Sequence, residues 1–521
     1  MQRAGTLALL FLTTMLFGCS LPPLDARAPS QALAQEQALQ TPLGRGLEQM
    51  RQQARADAQQ TGYHVLHEAQ DAFAARALLA RSAQRSLDVQ YYIWRDDTTG
   101  NLLLNELLMA ADRGVRVRLL LDDHGTKGLD AVLHTLGTHP QIEVRLFNPF
   151  ALRSPKLLNF ATDFFRLNRR MHNKSFTADN QASILGGRNV GNEYFGATDG
   201  VLFFDLDLLV GGAVVPEISA DFDRYWNSPS AYPVETLLRA PDGPSLDTLR
   251  REGQALLASH AAQNYQQAIQ KTTFVQNLLQ GQLPMEWARA QLISDDPAKV
   301  LGQVDSAQKI SALLARATGT PQRTMDIVSP YFVPTAEGTE SLIQLRQSGV
   351  RVRVLTNSVR ATDVLIVHSG YAKYRQPLLQ AGVELFELRP QTPDYALKEE
   401  KEKFSLNPMG SSGSSLHSKT FMVDGKQVFV GSFNFDPRSA RLNTEMGLLL
   451  ESPPLAASVE AAFDTLIPPT SYRLTLDEHE RILWHSGMGN PPPVYRTEPQ
   501  TSWLSRLMIH FMGLLPIEWM L

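Results

Sequence analysis

The sequence predicts an α/β chain made by duplication, in which two units each supply half of one site. A motif of spacing H-x-K-x4-D-x6-G-G/S-x-N occurs as His172, Lys174, Asp179, Gly186, Gly187 and Asn189, and again 245 positions later as His417, Lys419, Asp424, Gly431, Ser432 and Asn434. Recurrence at a fixed spacing marks an internal repeat. Gly114-Val-Arg-Val-Arg118 returns unchanged as Gly349-Val-Arg-Val-Arg353 and sets the register of that repeat. Around each of these words the order is strand, helix, strand with a short apolar second strand, which calls for a right-handed crossover and a mixed, mostly parallel sheet in each unit.

The chain opens with a positive charge at Met1-Gln2-Arg3 and a short apolar run over residues 5–17. The run is too short to span a bilayer and reads as a signal peptide over residues 1–18. Leu16-Phe17-Gly18-Cys19 resembles the lipobox of bacterial lipoproteins, which makes Cys19, the one cysteine of the chain, the lipid anchor. An uncleaved signal anchor is the competing reading. In both, the body lies outside the cytoplasm without a disulfide, because a second cysteine is missing. Several acyl chains on one residue anchor stably. Ser20, in place of the aspartate that retains many lipoproteins at the inner membrane, leans toward outer-membrane sorting and leaves inner against outer open.

Residues 19–60, rich in Ala, Gln and Pro, read as a lipidated tether that becomes helical near residues 47–59. The first unit takes residues 61–228, with a helix over 71–83, a strand from Ser86 to Trp94, an amphipathic helix over 102–113 and a strand over 115–121 that ends in Asp122-Asp123. Residues 229–296 carry little strand pattern and many Gln and Ala, and read as a helical connection. The second unit takes residues 297–475, with a strand over 324–332, a helix over 338–347 and a strand over 350–356. Residues 476–521 form a tail whose last stretch, 503–521, is apolar and too short before Pro516 to cross a bilayer; it either lies in the membrane interface or docks on the body. Residues 152–170 mix Leu157, Leu158, Phe160, Phe164 and Phe165 with Arg153, Lys156, Arg166, Arg169 and Arg170, a pattern for lipid headgroups or for a helix with a solvated side. The charge run 398–403 and the Gly/Ser run 410–415 read as a mobile loop ahead of His417.

Within each motif, His and Lys two residues apart on an extended chain point to one face. Asp424-Gly425 is a strong turn signal and Ala178-Asp179-Asn180 a weaker one, so each motif is a strand, a turn and a return strand ending at small residues that let a phosphate approach backbone N–H groups. Two histidines can divide the work of phosphodiester exchange. One attacks phosphorus as neutral imidazole; the other protonates the leaving oxygen and later deprotonates the acceptor. Lys174 and Lys419 hold the phosphoryl oxygens, with Asn189 and Asn434 as neutral donors. This chemistry needs no cofactor, and a lysine beside each histidine repels a metal dication. Asp205 and Glu445, which follow the two motifs at similar distances, are the acceptors expected to orient the histidines, with Asp207 a close competitor. Asp179 and Asp424, grouped with the catalytic motif, are expected at its turns. His368 and Tyr371 line the pocket or serve as structural groups, and Arg438 and Asn443 brace the second half.

The paired H-x-K-x4-D motifs, with Gly-Ser-x-Asn after the second, resemble the phospholipase D superfamily over roughly residues 70–470. The resemblance implies two pseudo-twofold-related α/β/α units sharing one active site, with His172 as the nucleophile that forms a phosphohistidine and His417 as general acid/base; the residues alone leave that order open. Tyr91-Tyr92-Ile-Trp94, Asp295-Asp296-Pro297, Ser329-Pro-Tyr-Phe332, the stretch from His368 to Arg375 and Leu515-Pro-Ile-Glu518 are similar to the C-type branch of bacterial cardiolipin synthases. Gly187, where Ser is common, is a departure. The implied activity is phosphatidyl transfer making cardiolipin, with phosphatidylglycerol as acceptor. Competing readings are hydrolysis by a phospholipase D, a nuclease of the same superfamily and a non-catalytic envelope lipoprotein. A net charge of −4 with 20% charged residues gives no basic excess for a nucleic acid. The partners expected are phospholipids and a membrane met through the lipid anchor and the C-terminal apolar segment, at the bacterial cell envelope facing the periplasm.

Overall fold

The structure, a computed structural model, describes residues 21–24, 27–197, 203–239, 243–279, 282–390, 415–489 and 491–521. The signal peptide, Cys19, Ser20, the charge run 398–403 and residues 410–414 of the Gly/Ser run lie outside them.

Eighteen strands join into one continuous sheet. The first unit supplies β1 (Thr61–Leu66), β2 (Ser86–Ile93), β3 (Arg116–Gly125), β4 (Ile142–Phe147), β5 (Ser175–Ala178), β6 (Ala182–Gly186), the two-residue β7 (Phe203–Phe204), β8 (Asp207–Gly212) and β9 (Ala231–Pro233). The second supplies β10 (Glu286–Ser294), β11 (Thr324–Val328), β12 (Arg351–Asn357), β13 (Glu384–Leu388), the two-residue β14 (Ser415–Leu416), β15 (Lys419–Val423), β16 (Gln427–Gly431), β17 (Met446–Glu451), β18 (Ser471–Leu476), β19 (Ile482–Ser486) and β20 (Val494–Tyr495). Pairing runs β9-β4-β3-β2-β5-β6-β8-β1 and then, across a β1–β10 junction, β10-β17-β16-β15-β11-β12-β13-β18. The second order repeats the first in reverse about the junction, which is the signature of a twofold-related duplication.

The α/β class and the repeat are as expected, but the predominance of parallel pairing is not. Parallel ladders are confined to β2-β3-β4 and β11-β12-β13 of the large sheet, and to the β7–β14 pair. The strands after each trio return by tight hairpins, which need no crossover and are antiparallel. Three boundaries also shift. Residues 286–294, assigned to the helical connection, are β10, the counterpart of β1; their Ala and Gln continue the composition of the helices before them and hide the strand. The β18–β19 hairpin crosses the boundary at residue 475, with Leu476 opposite Ile482. The stretch read as a tether lies against the first unit from residue 27 onward. Arg27 donates to the carbonyls of Asn227 (2.7 Å) and Ala231 (2.9 Å), Arg145 donates to the Ala28 carbonyl (2.8 Å), and Asn180 to that of Leu33 (2.9 Å). The helix there is Pro42–Gln53, started by Thr41, whose hydroxyl accepts from the Gly44 N–H.

The shared Gly-Val-Arg-Val-Arg word has two structural reasons. Gly114 and Gly349 end the preceding helices with φ of +90° and +92°, a conformation that favours glycine. Arg118 and Arg353 are buried and pair with Asp88 (2.7 Å) and Asp326 (2.6 Å) on the neighbouring strands. Each unit has its own apolar core, around Leu87, Val117 and Ile184 in one and Ile327, Val352 and Phe429 in the other. A third core, with Leu208 and Val210 from one unit and Met422, Val430 and Leu448 from the other, joins them. Among the described residues, no helix is long and apolar enough to cross a membrane.

Candidate active site

Each motif histidine is delivered by the end of a parallel strand. At the end of β3, Asp122 accepts from the N–H of Met171 (2.9 Å); at the end of β12, Asn357 accepts from the N–H of Leu416 (3.0 Å). Met171 and Leu416 immediately precede the two histidines. Each histidine backbone is then caught by the opposite unit: the His172 N–H donates to the Thr444 carbonyl (2.9 Å) and the His417 N–H to the Phe204 carbonyl (2.8 Å).

That exchange carries the side chains with it. His172 Nδ1 meets Glu445 at 2.7 Å, and His417 Nδ1 meets Asp205 at 2.5 Å. Each imidazole is thus held by a carboxylate from the other unit, not by the one that follows its own motif. A ring whose Nδ1–H donates to a carboxylate has its Nε2 lone pair free, so both rings are prepared to work through Nε2. Tyr92 meets the His172 ring edge-on at 5.0 Å, and Tyr194 the His417 ring at 5.3 Å. The lysines fold back on their own motifs, with Lys174 Nζ donating to the His172 carbonyl (2.6 Å) and Lys419 Nζ to the His417 carbonyl. Both histidines and both lysines are less than 9% exposed.

Burial sets the electrostatics. It pushes both imidazoles down to about 4; Glu445 and Asp205 oppose it, while Lys174 and Lys419 each depress both rings. The Met171–Thr444 bridge and the β7–β14 pair hold both motifs at one interface between the units. Burial likewise lowers both lysines, Lys174 well below the ordinary ammonium value. Burial works against the Glu445 carboxylate, yet His172 holds it below its usual range, and His417 does the same for Asp205. Burial lifts Asp436 to about 7. Burial thus disfavours charge of either sign here, and the charged groups that remain are paired across the two units.

The two carboxylates are supported differently. Glu445 also accepts from the hydroxyls of Ser432 (2.5 Å) and Ser439 (2.7 Å), and its N–H donates to Asp295 (3.0 Å). Lys299, fully buried, bridges Asp295 (2.7 Å) and the Ser439 carbonyl (2.8 Å). Asp205 accepts from the Leu206 N–H (2.8 Å) and lies where a Cβ on residue 187 would stand. The Gly187 departure is therefore steric: serine there would overlap the carboxylate.

Other expected site residues stand elsewhere. Asp179 and Asp424 are not in the cavity. At the far ends of the motif strands, with φ of +51° and +56°, they accept from the N–H groups of Gln84, Arg85 and Ser86 and of Gln322, Arg323 and Thr324. Asn189 spends its amide on the Ile93 N–H and the Tyr194 hydroxyl, whereas the Asn434 Oδ1 is buried with no hydrogen-bond partner among the described residues. Asp207 pairs with Arg76 at 2.8 Å, away from the histidines. His368 bonds Glu498 at 2.7 Å, beside Arg375, as a structural group. Asp122 and Asn357 escaped the sequence reading, although both stand eight residues after the repeated glycine.

A family model described as cardiolipin synthase, phospholipase D-like domain, matches residues 78–226 and 311–467. Cardiolipin synthase C of Escherichia coli K12 is 46% identical over 463 residues, covering 89% of this chain and 96% of that one. A cardiolipin synthase of Geobacillus kaustophilus is 28% identical over 388 residues, covering 74% and 62%. The crystal structure of phosphatidylserine synthase from Haemophilus influenzae Rd KW20 superposes with a TM-score of 0.55 over 95% of this chain and 98% of that one, at 15% identity, a likeness of fold. With two matched segments covering more than half of its length, set on the paired units just described, the chain belongs to the phospholipase D-like cardiolipin synthase family.

Proposed function

We propose that the protein is a phosphatidyltransferase that makes cardiolipin from phosphatidylglycerol and a second phospholipid through a phosphohistidine. The observation that carries the reading is the crossed pair of histidine–carboxylate dyads around two lysines. Nε2 of His172 attacks phosphorus, the bond to the leaving alcohol breaks, and its oxygen takes the proton carried on Nε2 of His417. His417 then removes the proton of the acceptor phosphatidylglycerol hydroxyl, whose oxygen attacks phosphorus and breaks the P–N bond, so that both histidines end as they began. Lys174 and Lys419 bear the charge on the non-bridging oxygens, and Asn434 supplies a neutral contact.

The different support of the two carboxylates favours this order. Glu445 shares its lone pairs with two hydroxyls and is the weaker partner for an imidazolium, which suits a nucleophile beside it. Asp205 has fewer donors, which suits the histidine that carries the proton. With both rings depressed to about 4, the protonated one gains its proton as the substrate anion enters and raises both.

Anchoring through Cys19 and facing the periplasm of the bacterial envelope complete the reading, with the C-terminal apolar segment touching the membrane. The test is to incubate the purified protein with labelled phosphatidylglycerol, with and without phosphatidylethanolamine, and weigh the products. Cardiolipin is expected; phosphatidic acid alone would make the enzyme a hydrolase, and inert lipids with cleaved DNA would overturn both.

A further inference from the structure

Seventeen large apolar side chains are exposed among the described residues, and ten of them lie on two short segments, 157–165 and 503–519. Leu157 is 77% exposed, Phe165 72%, Trp503 70% and Leu514 70%. Scattered apolar side chains are normal on a protein surface, whereas gathered ones mark a contact. The helix Trp503–Gly513 buries only Ile509, and Trp503, Leu507, Phe511 and Leu514 follow one another at three- and four-residue steps, which is one stripe of a helix.

The segments are far apart in sequence and end on one guanidinium. Arg438 donates to the carbonyl and side-chain oxygens of Asn168 (2.9 and 2.8 Å), directly after the helix Asn159–Leu167. The same group donates to the Met520 carbonyl (3.0 and 2.8 Å), and the Arg438 N–H donates to Leu521 (2.7 Å). Arg438 lies on the loop between Asn434 and Glu445, and that loop meets the His172 strand directly: Asn443 accepts from the Arg170 N–H (3.1 Å) and the Thr444 carbonyl from the His172 N–H (2.9 Å). Both apolar segments therefore converge beside the candidate active site.

We propose that they form one membrane-docking platform, which seats this rim of the site on an anionic phospholipid surface. The proposal rests on the phospholipid reading of the site and adds where and how the bilayer is met. The occupant follows from the chemistry of the stripe. From Pro499 to Ile517 there is no carboxylate, and the charged or titratable groups are Arg506 and His510. Trp503 and Trp519 bracket the apolar run, and tryptophan is the side chain that settles at the headgroup boundary. A helix too short to span the bilayer, with an apolar stripe and Arg506 beside it, lies in the interface plane. Tied to both segments by Arg438, the loop that carries Glu445 is steadied when the platform is seated, so that vesicle-bound substrate is served better than dissolved substrate.

The test uses the full chain on vesicles of phosphatidylethanolamine and phosphatidylglycerol with brominated acyl chains, which quench tryptophan inserted in the bilayer. Trp94, Trp226 and Trp484 are buried in the body and the half-buried Trp287 on β10 is replaced by Phe throughout, so quenching is expected with Trp503 and Trp519 in place and its loss in Trp503→Phe/Trp519→Phe. In that background Leu157→Trp is expected to restore it. The triple variants Leu157→Asn/Leu158→Asn/Phe165→Asn and Leu507→Asn/Phe511→Asn/Leu514→Asn are each expected to lower turnover on vesicles about tenfold. Turnover of short-chain phosphatidylglycerol dissolved as monomer should stay unchanged in both. Unquenched reporters, or equal losses on vesicles and monomer, would overturn the platform. A dimer that either triple variant dissolves, with unquenched reporters, would assign the stripe to a second copy and overturn it as well. If the native chain leaves the monomeric lipid untouched, the enzymatic reading fails while the quenching still reports on docking.

Discussion

The His172 and His417 halves of the site are built on the same strands in the same order, yet their carboxylates are held in different ways. Glu445 is gripped by two serine hydroxyls and backed by the buried Asp295–Lys299 pair, whereas Asp205 is fitted into the space left by Gly187. Duplication supplies two equal imidazoles. Only the residues behind them make the two unequal, and the proposed division of roles, one ring bonding to phosphorus while the other moves protons, rests on that inequality.

Removing either ring tests the comparison most severely. His172→Ala is expected to abolish turnover, a loss of about 10⁴-fold or more. His417→Ala should cost about 10²- to 10⁴-fold, as expected for a lost acid–base group. Rate measurements under matched conditions check the order; near-native turnover by the first variant would remove His172 as nucleophile.

Exchanging the supports is the next largest step. Gly187→Ser puts a side chain onto the Asp205 carboxylate and is expected to lower kcat about 100-fold by displacing it. Ser432→Gly removes one hydroxyl from Glu445, which keeps Ser439, and should cost about tenfold. Equal losses would mean that the two carboxylates are held alike.

The pH dependence sharpens the electrostatic side. In the free protein both imidazoles are depressed to about 4, chiefly by burial, so the form with one ring protonated grows as pH falls from 8 to 6. A bound phosphodiester raises both rings. The alkaline limb of kcat should therefore lie at higher pH than that of kcat/KM, with proton uptake on binding inorganic phosphate. The same depression means that the unfolded chain binds more protons than the folded one between pH of about 4 and 6.5. Stability is then lost as pH falls through that window, and inorganic phosphate should offset the loss in thermal melts.

The smallest effects lie at the turns. Asp179 is fully buried while Asp424 is partly exposed, and each holds three backbone N–H groups. Asp179→Ala is expected to cost about 2–3 kcal/mol of stability and Asp424→Ala about 1 kcal/mol. Denaturant midpoints check both, with kcat of the folded fraction little changed.

What could be read from the sequence follows from what a linear pattern records. The spacing of His172 and Lys174 against His417 and Lys419 carried the two half-sites, and the equal strand order carried the fold class. That Glu445 serves His172 and Asp205 serves His417 is a consequence of the twofold arrangement, and spacing along the chain holds no trace of it. Asp122 and Asn357 were within reach, since the register set by Gly114 and Gly349 aligns them. The strand at 286–294 was masked by its Ala and Gln, and residues 27–60 lie against the body chiefly through bonds to backbone carbonyls, which leave no pattern to read. The turn role of Asp179 and Asp424 was legible because an aspartate before Asn or Gly favours that geometry.

The central claim is that His172, steadied from the other unit by Glu445, takes the phosphatidyl group. The most direct measurement mixes the protein with labelled phosphatidylglycerol, quenches within the first turnover and locates the label by mass spectrometry. We expect a phosphatidyl adduct on His172, and in His417→Asn its accumulation from a phosphatidyl p-nitrophenyl ester, whose leaving group departs without a proton while the acceptor is no longer deprotonated. An adduct on His417, or steady turnover with no adduct on either ring, would contradict the account.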